Sequence, residues 1–271
     1  DTTSDEIWRV QRTTGEVIKY ADQASIMAAG GFTNAVSLNN AHTKNPFTSE
    51  HVFYESTSRH ILTTDGSNNV AVFISNEEMS NTFGNAMVLE GMAFDSAGNF
   101  YWSQYVSGSY LGIHKRDTNG TMSVFLTKAQ LDAVHGADLP VPGAMLFAPD
   151  GYLYIRVRKG TAGAILRCDP LASNYVDTLS LYLSVQQLSN SVAQSANAGE
   201  LGWYKGGLTW HYFEVRSGGI FVNVPTNEPA LVITGAVEVT EYSSNVPYYC
   251  TLLMTNRWGT FFRYEHTSTA A

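Results

Sequence analysis

The 271 residues, 44 % of them hydrophobic, suffice to bury a full core, and no apolar run reaches the roughly 20 residues that cross a bilayer as a helix. A formal net charge of -8, without any Lys/Arg cluster, argues against a phosphate-binding surface and so against nucleic acid as a partner. Only 15 % of residues are charged, Ser, Thr, Asn and Gly abound, and the opening DTTSDEIWRV has neither an initiator Met nor a signal-peptide pattern; the balance leans toward an extracellular, cell-surface or virion protein that has been processed or trimmed.

In chain order, EIWRVQ from Glu6 and EVIKYAD from Glu16 read as two strands joined by a Thr-Gly turn. The second runs into the first copy of a recurring unit, an apolar strand ending in a helix-capping signal. Its copies are IKYADQASI from Ile18, VFISNEEM from Val72, VFLTKAQL from Val124 and LYLSVQQL from Leu181, with a degraded copy, LVITGAV, around Val232 and Thr234. Ser75 with Glu78, Thr127 with Gln130 and Ser184 with Gln187 are capping boxes, in which the hydroxyl accepts from a free amide at the helix start and the Glu or Gln reaches back. Asp22 caps alone, with Ser25 as a poorer partner.

The aromatic positions Tyr20, Phe73, Phe125 and Tyr182 and the matching Val232 recur every 50 to 57 residues, the length of a propeller blade. Within that spacing, GMAFD, NFYWSQ, YLGIHKRD and MSVFLT follow one another, then GAMLFAPD, YLYIRVR, AILRCD and LSLYLS, divided by turn pairs such as Asn119-Gly120 and Asp150-Gly151. Each unit therefore reads as four short antiparallel strands. After Val232 only YCTLLMT and GTFFRYE remain. The expectation is an all-β, five-bladed propeller over residues 1–271, a single domain with short capped helices between blades and a last blade shared by the N- and C-terminal strands. A β-sandwich built from similar hairpins is the competing architecture.

That map separates Cys168 from Cys250 by placing them on blades that are not neighbours, so both are expected as buried free thiols. Asn119-Gly120-Thr121 matches an N-glycosylation acceptor in a turn.

LEGMAFDSAGNFYWSQ at 89–104 and PGAMLFAPDGYLY at 142–154 resemble the strand-turn-strand units of NHL and SMP-30/gluconolactonase propellers. The resemblance implies a divalent cation at a channel mouth. Glu90, before Gly91, matches that family's Glu-Gly pattern, whereas Pro142-Gly143 stands where the family has Asn-Gly and supplies no side-chain oxygen.

Glu90 and Glu200 both open first strands and form a candidate hard-oxygen site for Ca²⁺ or another divalent cation, the alternative being two solvated acids and no required cofactor. His135, near Asp138, is a candidate general base, the alternative being an exposed loop histidine. Trp203, Tyr204 and Tyr248 are candidate ligand-binding aromatics, the alternative being packing between blades. There is no nucleophile elbow, no HExxH and no phosphate loop. Two functions follow as expectations: a secreted, surface or virion propeller that binds a carbohydrate or protein at its helix-bearing face, or a metal-dependent lactonase of the SMP-30 type.

Overall fold

The computed structural model describes residues 6–10, 16–84, 87–106, 109–135, 141–159, 162–184, 198–204, 207–214, 220–225, 248–255 and 261–268. The chain begins with a hairpin of β1 (Ile7–Val10) and β2 (Val17–Ala21), then α1 (Gln23–Gly30). A first four-stranded antiparallel sheet follows in sequence order, β3 (Leu38–Lys44), β4 (His51–Glu55), β5 (His60–Thr64) and β6 (Val70–Ile74). Helix α2 (Asn76–Phe83) leads to a second, β7 (Met87–Phe94), β8 (Phe100–Val106), β9 (Ser109–Arg116) and β10 (Met122–Thr127). Helix α3 (Lys128–His135) leads to a third, β11 (Val141–Phe147), β12 (Leu153–Lys159), β13 (Ala162–Cys168) and β14 (Ser180–Leu183), with a 3-10 turn at Tyr175–Thr178. The later strands make a three-stranded sheet, β15 (Ala198–Tyr204), β16 (Gly207–Glu214) and β17 (Ile220–Pro225), and a hairpin, β18 (Tyr248–Thr255) with β19 (Phe261–Ser268).

Local chemistry accounts for these boundaries. The Ser75 hydroxyl accepts from the amide of Glu78 at 3.0 Å while the Glu78 carboxylate accepts from the amide of Ser75 at 2.8 Å, closing the capping box of α2. Asp22 accepts from the amide of Ser25, and Gly31, at φ 68°, ends α1 in the left-handed conformation that glycine takes without steric cost. Thr127 and Gln130 make the same reciprocal pair at α3. The hairpin turns share one device: Asp65, Asp95, Asp117 and Asp150 each accept from the backbone amide two residues on, at Ser67, Ala97, Asn119 and Tyr152.

Successive sheets pack face to face, and the core is the set of layers between them. One layer joins the first and second sheets through Tyr54, Ile61 and Ile74, with Met79 of α2, against Met92, Phe94, Phe100 and Trp102. Another joins the second and third through Tyr101, Ile113 and Leu126 against Leu153, Ile155 and Leu166. The first strands β7 and β11 approach so closely that a Cβ at Gly91 would stand 1.9 Å from the carbonyl oxygen of Gly143. Glu55 is wholly buried and accepts from the amides of Ser37, Thr57 and Ser58 and from the Ser58 hydroxyl, at 2.6 to 2.9 Å. Burial alone raises its pKa; these donors outweigh that and hold the carboxyl below the usual range.

The closed five-bladed propeller is not what forms. The described strands make six separate sheets, three of four strands, one of three and two of two, in an open series without a closed ring. The shared last blade fails specifically, because β1 pairs with β2 and β18 with β19, and the two hairpins belong to different sheets. The alternation within each hairpin does not specify the other as its partner, so the strand patterns at the two ends carried no information about mutual pairing. The resemblance to NHL and SMP-30/gluconolactonase propellers loses its architectural basis with the ring. Cys168 is a buried free thiol whose pKa burial pushes up to about 12; the Cys250 side chain lies outside the described residues.

Candidate functional site

The sequence pointed to the helix-bearing ends of the sheets. There the backbone of Glu90 lies on β7 and that of Glu200 on β15, the first strands of their sheets, and their side chains lie outside the described residues. Trp203 and Tyr204 end β15 and Tyr248 begins β18, again with side chains outside the described set, and Asp138 is outside it altogether. His135 closes α3 half-buried; burial lowers its pKa against the opposing pull of Asp132. Among the described residues no three His, Cys, Asp or Glu side chains gather into a metal-binding group. Among them also, no helix is long and apolar enough to cross a membrane.

The structure presents a different site, walled by turns of the first two sheets. Between the first and second sheets lies a cavity of about 410 Å³. Its floor is Phe73 of β6 with Phe94 and Phe100 of the second sheet; Phe73 meets Phe100 edge-on at 5.1 Å, and Phe94 lies 4.9 Å from Phe100. One wall is the turn after β3, where Asn45 accepts from the amides of Phe47 and Thr48 and holds the largely exposed Phe47 ring at the rim. The other walls are the turns at Ala97-Gly98 and at 117–120.

Arg116, the last residue of β9, supplies the charge. Its guanidinium stands 4.9 Å over the Phe73 ring, and no carboxylate lies within ion-pair range of it among the described residues. The acids nearby are already engaged. Glu78 closes the capping box of α2, and the Arg116 charge is among the influences that lower its pKa. Asp117 accepts from the amides of Asn119 and Thr121. Period-two alternation puts Lys115 on the other face of β9, over the Tyr101 ring at 5.5 Å, so Arg116 is the cation turned to the cavity. The arrangement offers an apolar aromatic floor beside a planar cation with donors to spare.

Sequence reasoning did not find this site, although part of its signal was present. Phe73 was read as a repeat anchor, and Arg116 was passed over inside YLGIHKRD. Their juxtaposition requires the packing of two sheets.

Both expected functions depended on a closed ring whose mouth gathers first-strand residues and loops. Without the ring, the propeller-type binding module and the SMP-30-type lactonase lose their basis, and no metal-binding group stands in its place among the described residues.

Comparison with known proteins adds no family. No family model matches the chain, and no curated protein matches it. A solved structure similar to it is "The crystal structure of endo-arabinase from Bacteroides thetaiotaomicron VPI-5482", at 12 % identity over 70 % of this chain and 74 % of that one, with a TM-score of 0.38, a likeness too slight to support an argument about this chain.

Proposed function

We propose that the groove between the first and second sheets binds a small organic anion that carries an aromatic ring, the ring lying on the phenylalanine floor and the anionic group on Arg116. The observation that carries this reading is the Arg116 guanidinium, stacked on Phe73 at the cavity wall without a carboxylate partner among the described residues. A guanidinium presents its donors in a rigid fork that matches a carboxylate, and stacking on an aromatic face keeps the fork's edge available. The volume lies within the range of small-molecule sites, which combine an apolar lining with a few placed polar groups. Among the described residues that line the groove none is a nucleophile held by a base, and the reading is accordingly recognition.

The test is calorimetric titration with 2-naphthoate and its neutral counterpart 2-naphthamide. A hydrogen bond to a charged group contributes about 1.5–3 kcal/mol, which corresponds to roughly 10- to 100-fold in affinity. The expected result is saturable naphthoate binding, at least about tenfold weaker for naphthamide and for Arg116→Gln, with the melting temperature of the variant unchanged. Equal affinity for the two compounds, unchanged binding in Arg116→Gln, or no saturable naphthoate binding in the millimolar range refutes the proposal.

A further inference from the structure

The triplet Asn119-Gly120-Thr121 is the only Asn-X-Ser/Thr with X other than Pro in the 271 residues. It forms the tip of the hairpin between β9 and β10, at the rim of the groove. Asn119 and Thr121 are both exposed. Their backbone is pinned: the Asp117 carboxylate accepts from the amides of Asn119 at 2.9 Å and Thr121 at 2.8 Å, and Gly120 turns the chain at φ 88° while donating to the Asp117 carbonyl. Those hydrogen bonds use main-chain groups and the Asp117 side chain, and leave the Asn119 carboxamide uncommitted. Asn favours turn positions for the local bonds its side chain makes. Here the neighbouring Asp makes them instead.

We propose that Asn119 is an acceptor for an N-linked glycan, which then stands at the rim of the groove beside Arg116. The donor is a polyprenyl-diphosphate-linked oligosaccharide. The Asn119 side-chain nitrogen forms a bond to the anomeric carbon, the bond from that carbon to the diphosphate oxygen breaks, the amide loses one proton, and the diphosphate departs with the bonding pair. A bulky polar group is tolerated there because the acceptor side chain faces solvent on a turn whose backbone bonds it does not share.

Because the sequence holds a single triplet, the test needs no site mapping. The full chain is fused to a cleavable secretion signal and secreted from a eukaryotic cell line, and its intact mass is measured before and after treatment with a peptide N-glycanase. The expected result is a glycan mass on most molecules that the enzyme removes, retained in Thr121→Ser and lost in Asn119→Gln and Thr121→Val, with unchanged circular dichroism in all variants. A secreted, folded wild-type chain without the added mass overturns the proposal, as does a mass addition that persists in Asn119→Gln.

Discussion

The pH dependence of stability provides a quantitative check on the packing between the first two sheets. His114 of β9 is 1 % exposed, with its ring 4.1 Å from that of Phe83 and stacked on Trp102 at 5.7 Å, and neither ring nitrogen has a hydrogen-bond partner. Burial lowers its pKa from 6.5 to about 4, with no ionic group contributing. In the unfolded chain His114 takes up a proton below 6.5, whereas in the folded chain it stays neutral down to about 4. The unfolded state therefore binds more protons in that window, and stability falls as pH is lowered from above 6.5 toward 4. At about 1.36 kcal/mol per pH unit the full loss is about 3 kcal/mol, of which about 2 kcal/mol has gone by pH 5. His60 and His135 are also lowered by burial and act with the same sign, so the measurement is a comparison with His114→Phe, which keeps a ring in the slot and removes the titration. Urea unfolding midpoints of both proteins at pH 7.5, 6, 5 and 4.5 are expected to separate progressively in favour of the variant. A difference that stays constant across this range refutes the enclosure of a neutral imidazole.

Gly91→Ala is expected to destabilise the protein by at least about 2 kcal/mol in urea melts, because its Cβ meets the backbone oxygen of Gly143 and two first strands must separate to admit it. Glu55→Gln retains the shape but turns an NH₂ group toward a shell of donors, and is expected to cost about 2–3 kcal/mol at pH 7. Because the carboxyl pKa is held below its unfolded value, that contribution is present above the unfolded pKa and is lost as pH falls through the depressed one. The Gln variant should therefore lack this acid-side loss, and a parallel acid limb in both proteins counts against the assignment.

What was legible in the sequence was local. Ser75 with Glu78, Thr127 with Gln130 and Asp22 with Ser25 are within four residues of each other, and the helix starts they mark are present at α2, α3 and α1. The turns at Asn119-Gly120 and Asp150-Gly151 and the four-strand units of the second and third sheets were readable for the same reason. Closure was not, since it asked β1–β2 to recognise β18–β19, and antiparallel hairpins with ordinary alternation are interchangeable as partners. The recurring aromatic positions misled in a similar way. Phe125 and Tyr182 meet Tyr101 and Tyr154 edge-on at equivalent places of their own sheets, whereas Phe73 meets Phe94, Phe100 and Arg116 of the next sheet, so the repeat fixes the neighbours of two of these anchors and not of the third. The metal and catalytic candidates were chosen for a channel mouth that the fold does not make.

The location of the groove also follows from where donors are left over. Helix N-termini are the usual anion sites of a fold because their first amides lack partners. Here the capping side chains of Asp22, Ser75 and Thr127 each accept from one of those amides, at Ser25, Glu78 and Gln130, with Glu78 and Gln130 reaching back to two of the caps. At the turns, the Asp carboxylates absorb the backbone amides in the same manner, which leaves a side-chain cation as the remaining strong donor. Arg116 occupies that position with its floor already built, since Phe73 packs on Phe100 and Phe100 stacks on Trp102, which in turn covers His114. A ligand ring laid on this floor meets an aromatic surface fixed from beneath by the core, so little ordering cost is left for binding to meet.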